Sequence, residues 1–92
     1  MKPFEIQFHK AKNAANKLKH GISLAETESV FHDERALTVQ DDHHDEQRWV
    51  TVGMDGKGHL LVVAYTYRDP NFVRIISARR ASNNERRQYQ EA

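Results

Sequence analysis

Apolar positions follow three different periods along this chain. From about His9 to Lys19, Ala11, Ala14, Ala15 and Leu18 recur on one side of a helix, with Lys10, Lys12, Lys17 and Lys19 around the rest, the pattern of an amphipathic helix. Gly21 follows as a natural stop, because glycine takes the left-handed conformation without a Cβ penalty. The lysines near that end also suit the helix dipole. Ser23-Leu24-Ala25-Glu26 has the form of a capping box, the serine hydroxyl facing the Glu26 N–H and the glutamate reaching back to the serine N–H. It predicts a second short helix to about Phe31 that buries Leu24, Val30 and Phe31. Beyond it the pattern turns to strands. Ala36–Gln40 and Arg48–Met54 are rich in β-branched residues, and Asp55-Gly56-Lys57-Gly58 supplies a hairpin turn. Leu60–Tyr67 is the most apolar segment and reads as a central strand. Asp69-Pro70-Asn71 is a turn, and Val73–Arg79 the last strand. Phe4–Phe8 reads as an extended lead-in and Asp41–Glu46 as a polar loop. Ser82-Asn83-Asn84-Glu85 is a second capping-box pattern, opening a C-terminal helix with Arg86, Arg87 and Tyr89. The expected fold is α+β: two N-terminal helices, a four-stranded antiparallel sheet with helices on one face, and a C-terminal helix.

Composition narrows this picture. With 92 residues the chain suits a single domain over 1–92 with one modest core. It has no cysteine, so disulfides and thiolate metal sites are excluded. No apolar run approaches the roughly 18 residues of a membrane span, and no apolar signal segment follows Met1-Lys2-Pro3-Phe4-Glu5; a cytoplasmic protein is expected. The net charge of +1 conceals a segregation. Residues 1–20 hold five lysines against one acid, residues 21–60 three basic side chains against nine acids, and residues 61–92 six arginines against three acids. If the two basic ends meet, they form a surface suited to a phosphate backbone; otherwise they are solvated faces with local ion pairs.

Several residues invite a chemical reading beside a structural one. Arg79 and Arg80 end an apolar strand. Strict alternation puts Arg79 on the face of Val73, Ile75 and Ser77, and Arg80 on that of Arg74, Ile76 and Ala78. Either is a fitting phosphate clamp, since guanidinium binds two oxygens at once, or a partner that ties Glu85 to the sheet. His20, at a helix C-terminus beside Lys19, suits proton transfer or bonding to a backbone carbonyl. Arg48 and Trp49 point to opposite faces; Arg48 can reach a phosphate, while Trp49 stacks on a base or fills the core, as does Tyr65. Tyr89 lies four residues from Glu85 on one helix face and serves either as an acid–base group or to hold the C-terminal helix down. His43 and His44 stand among acids, but adjacent loop residues rarely converge on one ion, so a solvated loop is expected and no metal.

Four stretches taken together resemble the BrnT family: Phe8 with Lys12, Asn16 and Lys19-His20-Gly21-Ile22-Ser23; Arg48-Trp49-Val50 leading to Gly53; Leu60-Leu61-Val62-Val63-Ala64-Tyr65; and Arg74-Ile75-Ile76-Ser77-Ala78-Arg79-Arg80-Ala81 with Glu85-Arg86 and Tyr89. They span nearly the whole chain in order. The resemblance implies a fold like that of RelE toxins and an RNA-cleaving toxin that inhibits translation. It also implies a BrnA-like antitoxin that binds the toxin in a hetero-oligomer and alone contacts operator DNA. It assigns catalytic roles to His20, Arg48 and Arg79, and substrate contacts to Lys12, Lys19, Trp49, Tyr65, Arg80, Glu85 and Tyr89. Such cleavage uses the ribose 2′-OH as nucleophile, so it requires no catalytic Ser or Cys and no cofactor. The chain departs from the family at His9, where an acidic residue usually opens the first helix; histidine is the poorer cap. A different reading of the same basic ends is a non-catalytic module that binds nucleic acid or a partner as a corepressor.

Overall fold

The computed structural model describes residues 5–41, 47–69 and 72–92, without the side chains of residues 68 and 69. Five strands form one sheet in the order β1-β5-β4-β3-β2, with β1 Glu5–Gln7, β2 Leu37–Asp41, β3 Arg48–Met54, β4 Leu60–Asp69 and β5 Phe72–Arg80. The three helices are α1 (Lys10–His20), a 3-10 helix (Leu24–His32) and α2 (Asn83–Glu91). Four strands are antiparallel neighbours as expected. The fifth is the N-terminal lead-in, which pairs parallel to β5 with Ile6 opposite Val73. It covers three residues, too few for a period to be read from sequence. Asp41, expected in a loop, closes β2, whereas residues 42–46 and the turn residues Pro70 and Asn71 lie outside the described residues.

The second helix is 3-10 rather than α. Leu24, Thr27 and Val30 are fully buried, and three residues per turn stacks them in one line facing the sheet. Hydroxyl side chains favour this winding. Thr27 Oγ1 donates to the Leu24 carbonyl at 2.6 Å and Ser29 Oγ to the Glu26 carbonyl at 3.0 Å. The expected capping box does not close: Ser23 Oγ accepts from Ala25, and the Glu26 N–H turns to the Ser23 carbonyl at 3.0 Å. The helix presses close to β3, where Gly53 leaves room; a Cβ there would lie 2.9 Å from Val30 Cγ1.

Alternation divides the sheet into two faces. One carries Thr51, Leu61, Val63, Tyr65, Val73, Ile75 and Ala78 and meets Ile22, Leu24, Val30 and Phe31, with Ile6, Phe8 and Trp49 at the border of this core. The other carries Leu60 and Val62, also buried, and here α2 lies against β3. Helices therefore flank both faces rather than one. Tyr89 anchors α2: its hydroxyl donates to Asp33 Oδ2 at 2.6 Å, and the same oxygen accepts from the Met54 N–H at 2.8 Å.

α1 attaches to the sheet through asparagines. Beyond the three residues paired to β1, the outer edge of β5 needs other partners. The Asn16 amide supplies them: Oδ1 accepts from the Ala78 N–H at 3.1 Å, while Nδ2 donates to the Ala78 carbonyl at 2.9 Å. Nδ2 also reaches the Ile22 carbonyl at 2.9 Å, joining the turn after α1 to the same point. Gly21 closes the helix with φ +70°, its N–H bonded to the Lys17 carbonyl.

Candidate functional site

At the corner where β5 enters α2, Arg79 and Glu85 form a two-pronged ion pair, Nη1 to Oε1 at 2.7 Å and Nη2 to Oε2 at 2.8 Å. The capping box of α2 does close here. Glu85 Oε1 also accepts from the Ser82 N–H at 2.8 Å, and Ser82 Oγ accepts from the Glu85 N–H. The Arg79 guanidinium, with help from Ser82, depresses the Glu85 carboxyl to a pKa of about 2. Glu85 in turn raises that of Arg79 further. Strict alternation fails just before this corner. A bulge around Ile76, where Tyr65 pairs with Ile75 and Ala64 with Ser77, adds one residue to β5. Arg79, opposite Val62, therefore shares its face with Arg74 and Ser77, not with Val73 and Ile75. Arg80, opposite Leu61, takes the face of Ala78 and is exposed.

At the end of α1, Lys19 is exposed, His20 is half-buried, and Lys12 is exposed about two turns back. Among the described residues, no hydrogen bond or ion pair joins His20 to another residue of the expected set.

The third group lies at the opposite end of the sheet. Trp49 is half-buried at the core's border and meets Tyr67 edge to face, ring centroids 6.2 Å apart; Tyr67 is 46% exposed. Gln47, Trp49, Thr66 and Tyr67 line an open cleft. Tyr65 is buried, and its hydroxyl shares a 2.8 Å hydrogen bond with Thr51, which continues to Thr38. Burial pushes its pKa up. Tyr89 is likewise buried, and the hydrogen bond to Asp33 raises its pKa. Arg48 is half-buried, and its Nε is shielded from solvent without a hydrogen-bond partner among the described residues.

Strand register shows what these groups can do together. Arg48 follows on from the Trp49–Tyr65 pair and so falls beside Thr66, which pairs with Arg74. The row Arg48–Thr66–Arg74 sets two arginines about 10 Å apart on one face, two strand spacings across. Arg74 also lines a cleft with Ile6, Gln7, Phe8 and His9. Arg79 stands on that face too, in the row of Val52 and Val62, roughly 13 Å further along the strands. His20, Arg48 and Arg79 therefore do not converge on one atom. The arrangement is a row of arginines on one sheet face, suited to phosphates of one strand, with Trp49 and Tyr67 on the opposite, core-side face at the same end of the sheet. Arg74 was not singled out by sequence reasoning; only the bulge and the register place it beside Arg48. His43 and His44 lie outside the described residues.

The sequence model of a family described as "Ribonuclease toxin, BrnT, of type II toxin-antitoxin system" matches residues 8–85. No curated protein matches the chain. Among solved structures, the ribonuclease toxin BrnT of Brucella abortus is similar, with a TM-score of 0.67 and 20% identity over 87% of this chain and 99% of that one. At that identity the likeness is one of fold.

Proposed function

The chain belongs to the BrnT family of type II toxin–antitoxin ribonuclease toxins, and from that premise we propose that it cleaves RNA, thereby inhibits translation, and is neutralised by a BrnA-like antitoxin. The observation that carries this reading is the family match itself, which runs from Phe8 through every later element to the capping box of α2. The basic face supports it. An RNA strand lies over Arg48, Arg74 and Arg79, with Arg80, Lys12 and Lys19 drawing in further phosphates from beside that row. Trp49 and Tyr67, on the opposite face at the same end of the sheet, offer a stacking surface to a base that turns around that end. The 2′-oxygen forms a bond to phosphorus while a base removes its proton; the bond from phosphorus to the 5′-oxygen breaks, and that oxygen is protonated. His20 is the candidate for proton transfer. Arg48 suits the phosphorane charge, because it is a guanidinium in the same row as Arg74. Arg79 takes up phosphate only by exchanging Glu85 for it. Tyr65 and Tyr89, being buried, serve the site through packing. DNA is reached through the antitoxin alone.

One observation favours a second reading, the non-catalytic corepressor. The three expected catalytic residues do not meet, and Arg79 is already neutralised by Glu85. Tightly induced expression of the chain alone, following growth and total RNA together, separates the two. Growth arrest with shortened transcripts, relieved by co-expressing the adjacent gene and lost in a His20→Ala/Arg48→Ala variant of normal fold, supports the toxin. Normal growth with intact RNA and abundant folded protein supports the corepressor.

A further inference from the structure

α1 presents its apolar side to solvent. The side toward the body holds Asn13, Asn16 and His20; Asn13 Oδ1 accepts from the Leu24 N–H at 2.8 Å and Asn16 is tied to β5. The opposite side carries Ala11, Ala14, Ala15 and Leu18, all exposed, and Leu18 is 92% exposed. At 3.6 residues per turn, Lys10 and Lys17 border this strip on one flank and Lys12 and Lys19 on the other. The helix contains no acid, and among the described residues none of these lysines has an ion-pair partner. Lys10, Asn13, Ala14, Lys17 and Leu18 also line an open groove beside the strip.

We propose that this face is the docking site for an acidic amphipathic helix of a partner protein; identifying that partner as the antitoxin rests on the toxin reading. The alanines let a second helix approach closely, and Leu18 is the knob it receives. Two lysine rails select glutamates or aspartates flanking the partner's apolar seam and repel a second copy of α1. RNA would engage the lysines but gains nothing from Leu18, since bases stack on aromatic rings and α1 has none. A helix seated here also covers Lys12 and Lys19, so it blocks phosphates from that flank without touching the arginine row.

The test uses the intact protein and a synthetic helix of about 20 residues with leucines in a heptad seam and glutamates on both flanks. A charge-reversed version with lysines on the flanks and a single-stranded RNA serve as further probes. The glutamate helix is expected to bind and the lysine helix not. Leu18→Asp is expected to weaken glutamate-helix binding by about tenfold or more while circular dichroism and RNA affinity stay unchanged, and Lys10→Glu/Lys17→Glu to weaken glutamate-helix binding similarly. Leu18 touches little of its own protein, so this variant folds. No binding of the glutamate helix, or equal binding by Leu18→Asp, overturns the proposal. So does a loss confined to RNA affinity, which would make α1 an RNA contact. Absence of ribonuclease activity would overturn the toxin reading and leave the peptide result standing.

Discussion

Replacing Asn16 with alanine removes the amide that stands in for a missing strand on the edge of β5. Three hydrogen bonds disappear at once: those to the Ala78 N–H, the Ala78 carbonyl and the Ile22 carbonyl, at 2.9 to 3.1 Å. The side chain is buried, so the groups left behind are poorly reached by water. Each unsatisfied buried group costs about 1–3 kcal/mol. Partial rescue by water at the helix border brings the sum to about 3 kcal/mol, a large share of the roughly 5–14 kcal/mol expected for a chain of this size. Thermal unfolding followed by circular dichroism should show Tm lower by about 12–24 °C. Asn16→Asp sharpens the test. It keeps the shape and the acceptor for the Ala78 N–H, but sets a carboxylate against two carbonyl oxygens. Those oxygens raise its folded pKa above the unfolded value, so the loss is full at neutral pH and shrinks as pH falls through the folded pKa. A Tm change below about 4 °C for Asn16→Ala, or an aspartate variant as stable at pH 7 as the parent, would refute the reasoning.

Three other outcomes follow from local geometry. The depressed Glu85 pKa means the Arg79 pair contributes fully above the ordinary carboxylate range and is lost as pH falls from about 4.5 toward about 2. Solvent around the half-exposed Arg79 holds that contribution to about 1 kcal/mol, and Glu85→Gln should flatten this part of the acid limb in pH-dependent denaturation. Asp33 and Asp55 should retain the rest: burial works against their charge, but hydrogen bonds from Tyr89 and Met54 in one case, and from His59 and Lys57 in the other, outweigh it and lower both pKa values. His9 caps α1 through Nδ1, which accepts from the Ala11 N–H at 3.3 Å. His9→Asp should stabilise the protein by about 0.5–1 kcal/mol, through a better cap and a favourable charge at the helix start, read as a higher midpoint in urea. Gly53→Ala forces Val30 or Ala36 to move, since its Cβ would stand 2.9 and 3.1 Å from them, and should cost about 1–3 kcal/mol in the same assay.

Elements held by neighbours in the chain were legible. β3 begins and ends where its β-branched residues predicted, the Asp55 turn forms the expected hairpin, and the Ser82 box closes. The resemblance to the BrnT family was equally legible, because its motifs are residue identities in order. The site was less so. His20, Arg48 and Arg79 were each visible as chemistry, yet their separation depends on strand register. Arg74 joined the candidate row only because Thr66 stands between it and Arg48.

Sequence by itself determined what a few adjacent residues decide: helix ends, turns, strand periodicity and the segregation of charge. Tertiary structure decided which faces meet. The lead-in became a strand because β5 had an open edge. The second helix became 3-10 because Leu24, Thr27 and Val30 face one sheet in a line. A bulge at Ile76 reversed the face of Arg79, and α1 turned its asparagines inward because the Ala78 backbone needed them. Each outcome follows from a pairing between residues far apart in the chain, whose energy no local pattern contains.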